Sequence, residues 1–250
     1  MKTHKHTLYI CLSLLAVLLS QAAYSQTVVV NSGWSGRLND SDLDGVPSGG
    51  VYDTGATFLN GLLGTNYGKA DAKFDTINAT GLDSFDFGSA EISFYLYNKQ
   101  NVGDTSLLQT VNVILYTSTV TDGASMADWS PSYSSATTDI ATFTAVLTPS
   151  SATGQFYTIS GAELNAAIAS VFSEITTTQQ LGIRFEFENY PTSTDGNNHF
   201  YSIQGFSTTT EARRPTITFT AIPEPSTLGF GFGAVGLFVV CVAGRYLRRK

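Results

Sequence analysis

Alternating carboxylates are the first residues in this chain whose spacing could do chemistry. In Asp40-Ser41-Asp42-Leu43-Asp44-Gly45, three acids and a turn-forming glycine match the first half of an EF-hand-like calcium loop, where hard oxygen ligands alternate along a tight turn. The twelfth position, which a bidentate glutamate would fill, is Val51, and Asp53 stands two residues late. Two readings follow: a calcium site that another loop completes, with Asp40, Asp42 and Asp44 as ligands, or a solvated acidic turn.

Other reactive arrangements are sparse. Ser-His-Asp catalysis needs a histidine placed to take a proton, and residues 26–222 contain only His199, in an Asn-rich stretch that reads as a solvated turn. Both cysteines, Cys11 and Cys241, fall in the terminal segments, so this stretch has no thiol nucleophile, no disulfide and no means of building a Cys/His zinc site. Glu186 and Glu188 could be a glycosidase pair, but sharing a strand face with Arg184 they read more simply as a solvated charge face. Tyr95 and Tyr97 project to one nominally wet side, and Trp34, Trp129, Tyr133 and Tyr190 fall in loops. Such rings either stack on sugars or cover the edge of a core. No catalytic set is expected, and calcium is the only candidate cofactor.

The elements that must position these residues are strands. Leu181, Ile183, Phe185 and Phe187 alternate with Gly182, Arg184, Glu186 and Glu188, and Ile92, Phe94 and Leu96 alternate with Glu91, Ser93, Tyr95 and Tyr97. Val111, Val113 and Leu115 repeat the pattern, as do Ile217 and Phe219. Further strands are expected over 27–31, 70–74, 140–147, 156–159 and 200–206. Roughly nine strands predict a mainly β fold, an antiparallel β-sandwich or jelly roll. Its wet face should be rich in hydroxyls, because 29 Thr and 22 Ser outnumber the charged residues of 26–222. One helix is expected, opening at Ser160-Gly161-Ala162-Glu163 with a capping-box pattern and continuing through Leu164, Ile168, Val171 and Phe172.

Charge divides the chain into three parts. The net −7 splits into +2 for residues 1–25, −12 for 26–222 and +3 for 223–250. A middle with 19 acids and seven bases cannot neutralise a phosphate backbone, which excludes nucleic acid as a partner. The first segment combines Lys2 and Lys5, an apolar run over 8–19 and the small-residue pattern Ala23-Tyr24-Ser25. That is the layout of a secretory signal peptide, with cleavage expected between Ser25 and Gln26 by a signal peptidase after passage through the translocon. The last segment reads Pro223-Glu224-Pro225, an uncharged run over 228–244, then Arg245, Arg248, Arg249 and Lys250. The 17 residues of that run plus Tyr246 and Leu247 reach roughly 28 Å as a helix, close to the hydrocarbon thickness of about 30 Å. Basic residues on one side only predict a stop-transfer cluster in the cytoplasm and residues 26–222 outside, anchored in the inner membrane.

In that order, Pro-Glu-Pro, a Gly-rich apolar span and a basic cluster resemble the PEP-CTERM sorting signal of exported bacterial proteins, across about the last 29 residues. The resemblance implies recognition of Pro223, Glu224 and Pro225 by an exosortase-like membrane protease, and delivery to the cell surface or extracellular polysaccharide. A plain tail anchor is the simpler alternative. Residues 27–221 also resemble DNRLRE-type jelly-roll domains of bacterial surface proteins. The matching pieces are Lys73-Phe74-Asp75, Ala90-Glu91-Ile92-Ser93-Phe94-Tyr95-Leu96-Tyr97, the Trp129 loop, the capped helix and Arg213-Arg214-Pro215.

The expected organisation is therefore a signal peptide (1–25), an exported domain (26–222) and a sorting tail (223–250). The expected role is non-enzymatic, structural or carbohydrate-binding. A secreted polysaccharide-active enzyme, glycosidase or lyase, assembled from distant loop acids is the competing expectation.

Overall fold

The computed structural model describes residues 26–51, 57–74, 82, 85–101, 107, 109–120, 125–175, 179–205 and 210–222. The signal segment with Ala23 and Ser25, the Pro-Glu-Pro motif, the 228–244 run and the basic end lie outside the described residues. Chain contacts divide the protein into a unit spanning Thr27–Thr220 and a second made of Met1–Gln26 with Ala221–Lys250, of which only Gln26, Ala221 and Ile222 are described. No helix among the described residues is long and apolar enough to cross a membrane.

Eleven strands and one α-helix make up the described structure. They are β1 (Thr27–Asp40), β2 (Gly49–Val51), β3 (Thr57–Leu63), β4 (Asn66–Phe74), β5 (Phe87–Asn101), β6 (Val111–Ser118), β7 (Thr137–Leu147), β8 (Gln155–Ser160), α1 (Ala162–Ile175), β9 (Gln180–Phe187), β10 (Asn198–Gln204) and β11 (Thr216–Ala221). The strands run β2-β1-β11-β5-β10-β3-β4-β9-β6-β7, with β8 on β5 and a further pairing of β1 with β4. That extra pairing closes a hydrogen-bonded circuit through β1, β11, β5, β10, β3 and β4. It forms because β1 pairs with β11 over residues 27–31 and with β4 over residues 32–40, with a register shift between Ser32 and Trp34 where Gly33 is skipped, while residues 37–39 also pair with β2.

The alternating residues read from the sequence form the core. Ile183, Phe185, Val113, Leu115, Ile92, Phe94, Ile217 and Phe219 are all buried, and Phe94 meets Phe185 edge to face at 4.8 Å between ring centres. Helix α1 follows Gly161, whose φ of +111° suits a residue without a side chain. It buries Leu164 and Ile168, and Phe172 packs 5.7 Å from Phe219 and 5.2 Å from Phe87. Asn165 Oδ1 accepts from the Ala90 N–H at 2.9 Å and ties the first helical turn to β5.

Two features depart from expectation. β2 and β3 are absent from the sequence-derived strands: β2 is only three residues long, and in β3 Thr-Phe-Leu-Asn-Gly-Leu-Leu does not alternate and has Gly61 in its middle. Gly61 is required: its φ is +133°, and a Cβ there would meet the His199 carbonyl at 2.3 Å, so close do β3 and β10 pass. The second departure concerns the face of β9 expected to be wet. Arg184 is 1% exposed and Glu186 is largely buried, because β9 lies between β4 and β6 and the 125–136 segment covers that side.

Candidate functional site

Beneath that cover lies a layer of charged and polar side chains. On β4, Ala70, Ala72 and Phe74 point to the apolar core, so the alternate residues Tyr67, Lys69, Asp71 and Lys73 occupy the opposite face and are also buried. Arg184 and Glu186 join them from β9, Tyr116 and Ser118 from β6, and Asp139 from β7. The cover begins with a short 3-10 turn, Met126–Asp128, whose capping box pairs Ser125 Oγ with the Ala127 N–H at 3.2 Å and Asp128 Oδ2 with the Ser125 N–H at 2.8 Å.

One ion network centres on Glu186. Its Oε1 accepts from Lys69 Nζ at 2.9 Å and Arg184 Nε at 2.5 Å, while Arg184 Nη2 donates to both Asp139 oxygens at 3.0 and 2.9 Å. Both cations also fasten the cover. Lys69 Nζ donates to the Trp129 carbonyl at 3.1 Å and stands 4.3 Å from its ring centre, and Arg184 Nη1 donates to the Asp128 carbonyl at 2.9 Å. Burial pushes the Glu186 carboxyl up, but Arg184 and Lys69 outweigh it and hold the group below its ordinary range. Burial lowers Lys69, with Glu186 opposing.

A second cluster lies further along β4. Lys73 Nζ is 2.7 Å from Asp128 Oδ2 and donates to the Val120 carbonyl at 3.0 Å. Asp128 Oδ1 accepts from Ser118 Oγ at 2.8 Å and Thr137 Oγ1 at 3.3 Å. Beside them, Asp71 Oδ1 accepts from Tyr116 Oη at 2.6 Å, and Asp71 Oδ2 is buried without a hydrogen-bond partner. Burial first, then the Asp128 charge, pushes the Asp71 carboxyl up to about 7. Burial also drives the Tyr116 phenol well above its ordinary value.

The acidic turn is a separate structure joined to the cover. Asp40 is fully buried at the end of β1, and the turn wraps its carboxylate: Oδ1 accepts from the N–H groups of Asp42 (3.2 Å) and Leu43 (3.0 Å), Oδ2 from the Gly45 N–H (2.8 Å) and from the Tyr190 hydroxyl. Leu43 and Gly45 take φ of 60° and 88° to close it. Asp42 and Asp44 are exposed, and one oxygen from each of the three acids lies within 4.8 Å of the others. Trp129 Nε1 donates to the Gly45 carbonyl at 3.0 Å, linking turn and cover. These oxygens are hard donors of the kind calcium takes, with Asp40 already acting as the hub of the turn.

The other sequence-derived residues scatter. His199 is not a solvated turn residue. It is 0% exposed within β10, with Nε2 3.1 Å from both oxygens of Asp195, because its flanking asparagines belong to the strand and the turn before it. Glu188 is exposed, whereas Glu186 is held in the ion network with Lys69 and Arg184. Tyr95 is buried against Phe156 and under the Arg213 guanidinium, whereas Tyr97 remains 53% exposed. Trp129 is buried, Tyr190 is half-buried against Asp40, Trp34 is half-buried and Tyr133 is exposed, so these rings do not assemble into a single stacking platform. Asp71, Tyr116 and Asp128 were not singled out from sequence. The available signal was Lys69, Asp71 and Lys73 at period two opposite Ala70, Ala72 and Phe74.

No family model matches the chain, and no curated protein matches it. Among solved structures it is similar to one of infectious bursal disease virus, Gt strain, at 12% identity and a TM-score of 0.21, over 79% of this chain and 37% of that one. The chain spans about 37% of that chain's length, and so loose a likeness carries no argument.

Proposed function

We propose that this chain is an exported bacterial protein of the cell surface or extracellular matrix, held first in the inner membrane and then handled by an exosortase-like protease. Its exported part is a β-sandwich of jelly-roll type with a structural or carbohydrate-binding role and no catalytic one. The observation that carries the reading is the sequence order of Pro223-Glu224-Pro225, the apolar run over 228–244 and the basic residues Arg245, Arg248, Arg249 and Lys250. Calcium at Asp40, Asp42 and Asp44 is part of the proposal, as a clamp on the turn.

Charge placement supports a matrix role. Of the seven bases in 26–222, Arg37, Lys69, Lys73 and Arg184 are buried, and the acids Asp40, Asp71 and Asp128 are buried with them, so the outer surface keeps the acidic balance of the composition. Such a surface repels anionic polymers and favours neutral, hydroxyl-rich glycans as ligands. Removing residues 223–250 tests the sorting claim: the truncated protein should leave the surface fraction, and its undiminished arrival there would defeat the proposal. A glycan array on the exported protein, with a turnover assay on any hit, separates a binding module from a polysaccharide-active enzyme.

A further inference from the structure

Among the described residues, Lys73 and Asp128 form an ion pair in which neither side chain has any exposed surface. The geometry points to a covalent fate for it: Lys73 and Asp128 condense into an intramolecular isopeptide bond, a modification that staples β4 to the segment between β6 and β7.

Four observations carry this. The nitrogen is pre-positioned: held 2.7 Å from one oxygen of the carboxylate, it stands beside the carbon it must attack. The other oxygen, Oδ1, already receives the hydroxyls of Ser118 and Thr137, which sit where negative charge develops when the carbon becomes tetrahedral. A third group can relay protons: Asp71 lies two residues before Lys73 on the same strand face, senses both Lys73 and Asp128, and has a buried oxygen with no partner. Finally, burial excludes the water that would drive the reaction backwards.

The step balances without a co-reactant. The Lys73 ammonium gives up two protons, one directly to Asp128 Oδ2 and one through Asp71, and its lone pair attacks the Asp128 Cγ. The Cγ–Oδ2 bond breaks and Oδ2 leaves as water carrying those protons. Nζ keeps one hydrogen, Oδ1 becomes the amide oxygen on Ser118 and Thr137, and the opposite charges vanish together.

Lys69 and Glu186 show why this pair and not the other is chosen. Glu186 is gripped by Arg184 as well as Lys69, and two cations hold it as a carboxylate, a poor electrophile. Lys73 and Asp128 instead have a second carboxyl beside them. The need is plain as well, since residues 26–222 contain no cysteine and cannot be stapled by a disulfide.

Mass spectrometry on the purified full chain, intact and after trypsin with fragment sequencing, tests the proposal. The expected result is a mass one water below that calculated for the processed chain, no cleavage after Lys73, and a branched peptide joining Lys73 to Asp128. Lys73→Arg should restore the calculated mass, and Asp71→Asn should lower the linked fraction by about tenfold or more at equal harvest time. A wild-type chain of full calculated mass that trypsin cuts after Lys73, or a lost water that maps elsewhere, would overturn the bond. Undiminished linkage in Asp71→Asn would overturn the relay.

Discussion

Tyr116 reaches across β9, over Gly182, to donate its phenolic proton to Asp71 Oδ1 at 2.6 Å. This contact fixes a fully buried carboxyl whose proton leaves only at about pH 7. The consequence for stability has a definite sign. Between about pH 4 and pH 7 the unfolded chain has released this proton while the folded chain keeps it, so folding stability contributed by Asp71 falls as pH rises through that window. Burial is the largest cause, so the direction holds whether or not Lys73 and Asp128 are joined. Asp71→Asn should flatten the decline, a change on the order of a few kcal/mol across the window. Urea midpoints for both chains at several pH values measure it, and equal slopes would contradict the assignment.

Gly182 itself gives a second prediction. A Cβ at that position would lie 2.3 Å from the Tyr116 ring, so Gly182→Ala must displace the ring and its bond to Asp71. Overpacking of this kind costs about 1–3 kcal/mol, and a buried group left unpaired adds a similar amount. Urea unfolding should show a lower midpoint at unchanged slope. Shortening the ring in Tyr116→Leu alongside Gly182→Ala should recover part of the loss, which a backbone effect at residue 182 would not allow.

How much of this was legible beforehand depended on what covers each strand. The apolar alternation of β5, β6, β9 and β11 named their core residues correctly, because period two assigns faces directly. It could not say that the second face of β9 is also closed. Arg184 and Glu186 therefore read as solvated from sequence, because period two carries no sign of the 125–136 segment that lies over them. His199 was misplaced for a related reason: Asn197 and Asn198 look like a turn, yet Asn198 already pairs with Leu63. β3 was missed because Gly61 is there for a close strand crossing, a long-range demand that leaves no local pattern.

The acidic turn yields a third prediction. Tyr190 and Asp42 both lean on Asp40, and Asp42 is raised chiefly by its bond to that carboxyl. A divalent cation held by all three acids would favour their carboxylate forms. Calcium at about millimolar concentration should raise the melting temperature, more at pH 7 than at pH 5, and Asp42→Asn should remove the shift. A melting temperature indifferent to both calcium and chelator would exclude the site.

The central claim is that residues 223–225 direct the protein's export fate. Replacing Pro223, Glu224 and Pro225 by alanine leaves the apolar run and basic end intact, so it separates sorting from simple anchoring. Cell fractionation with intact-mass measurement should find the altered chain retained in the inner membrane with its tail uncut, while the natural chain reaches the surface or matrix. If both chains reach the same fraction at the same extent of processing, the sorting account is wrong.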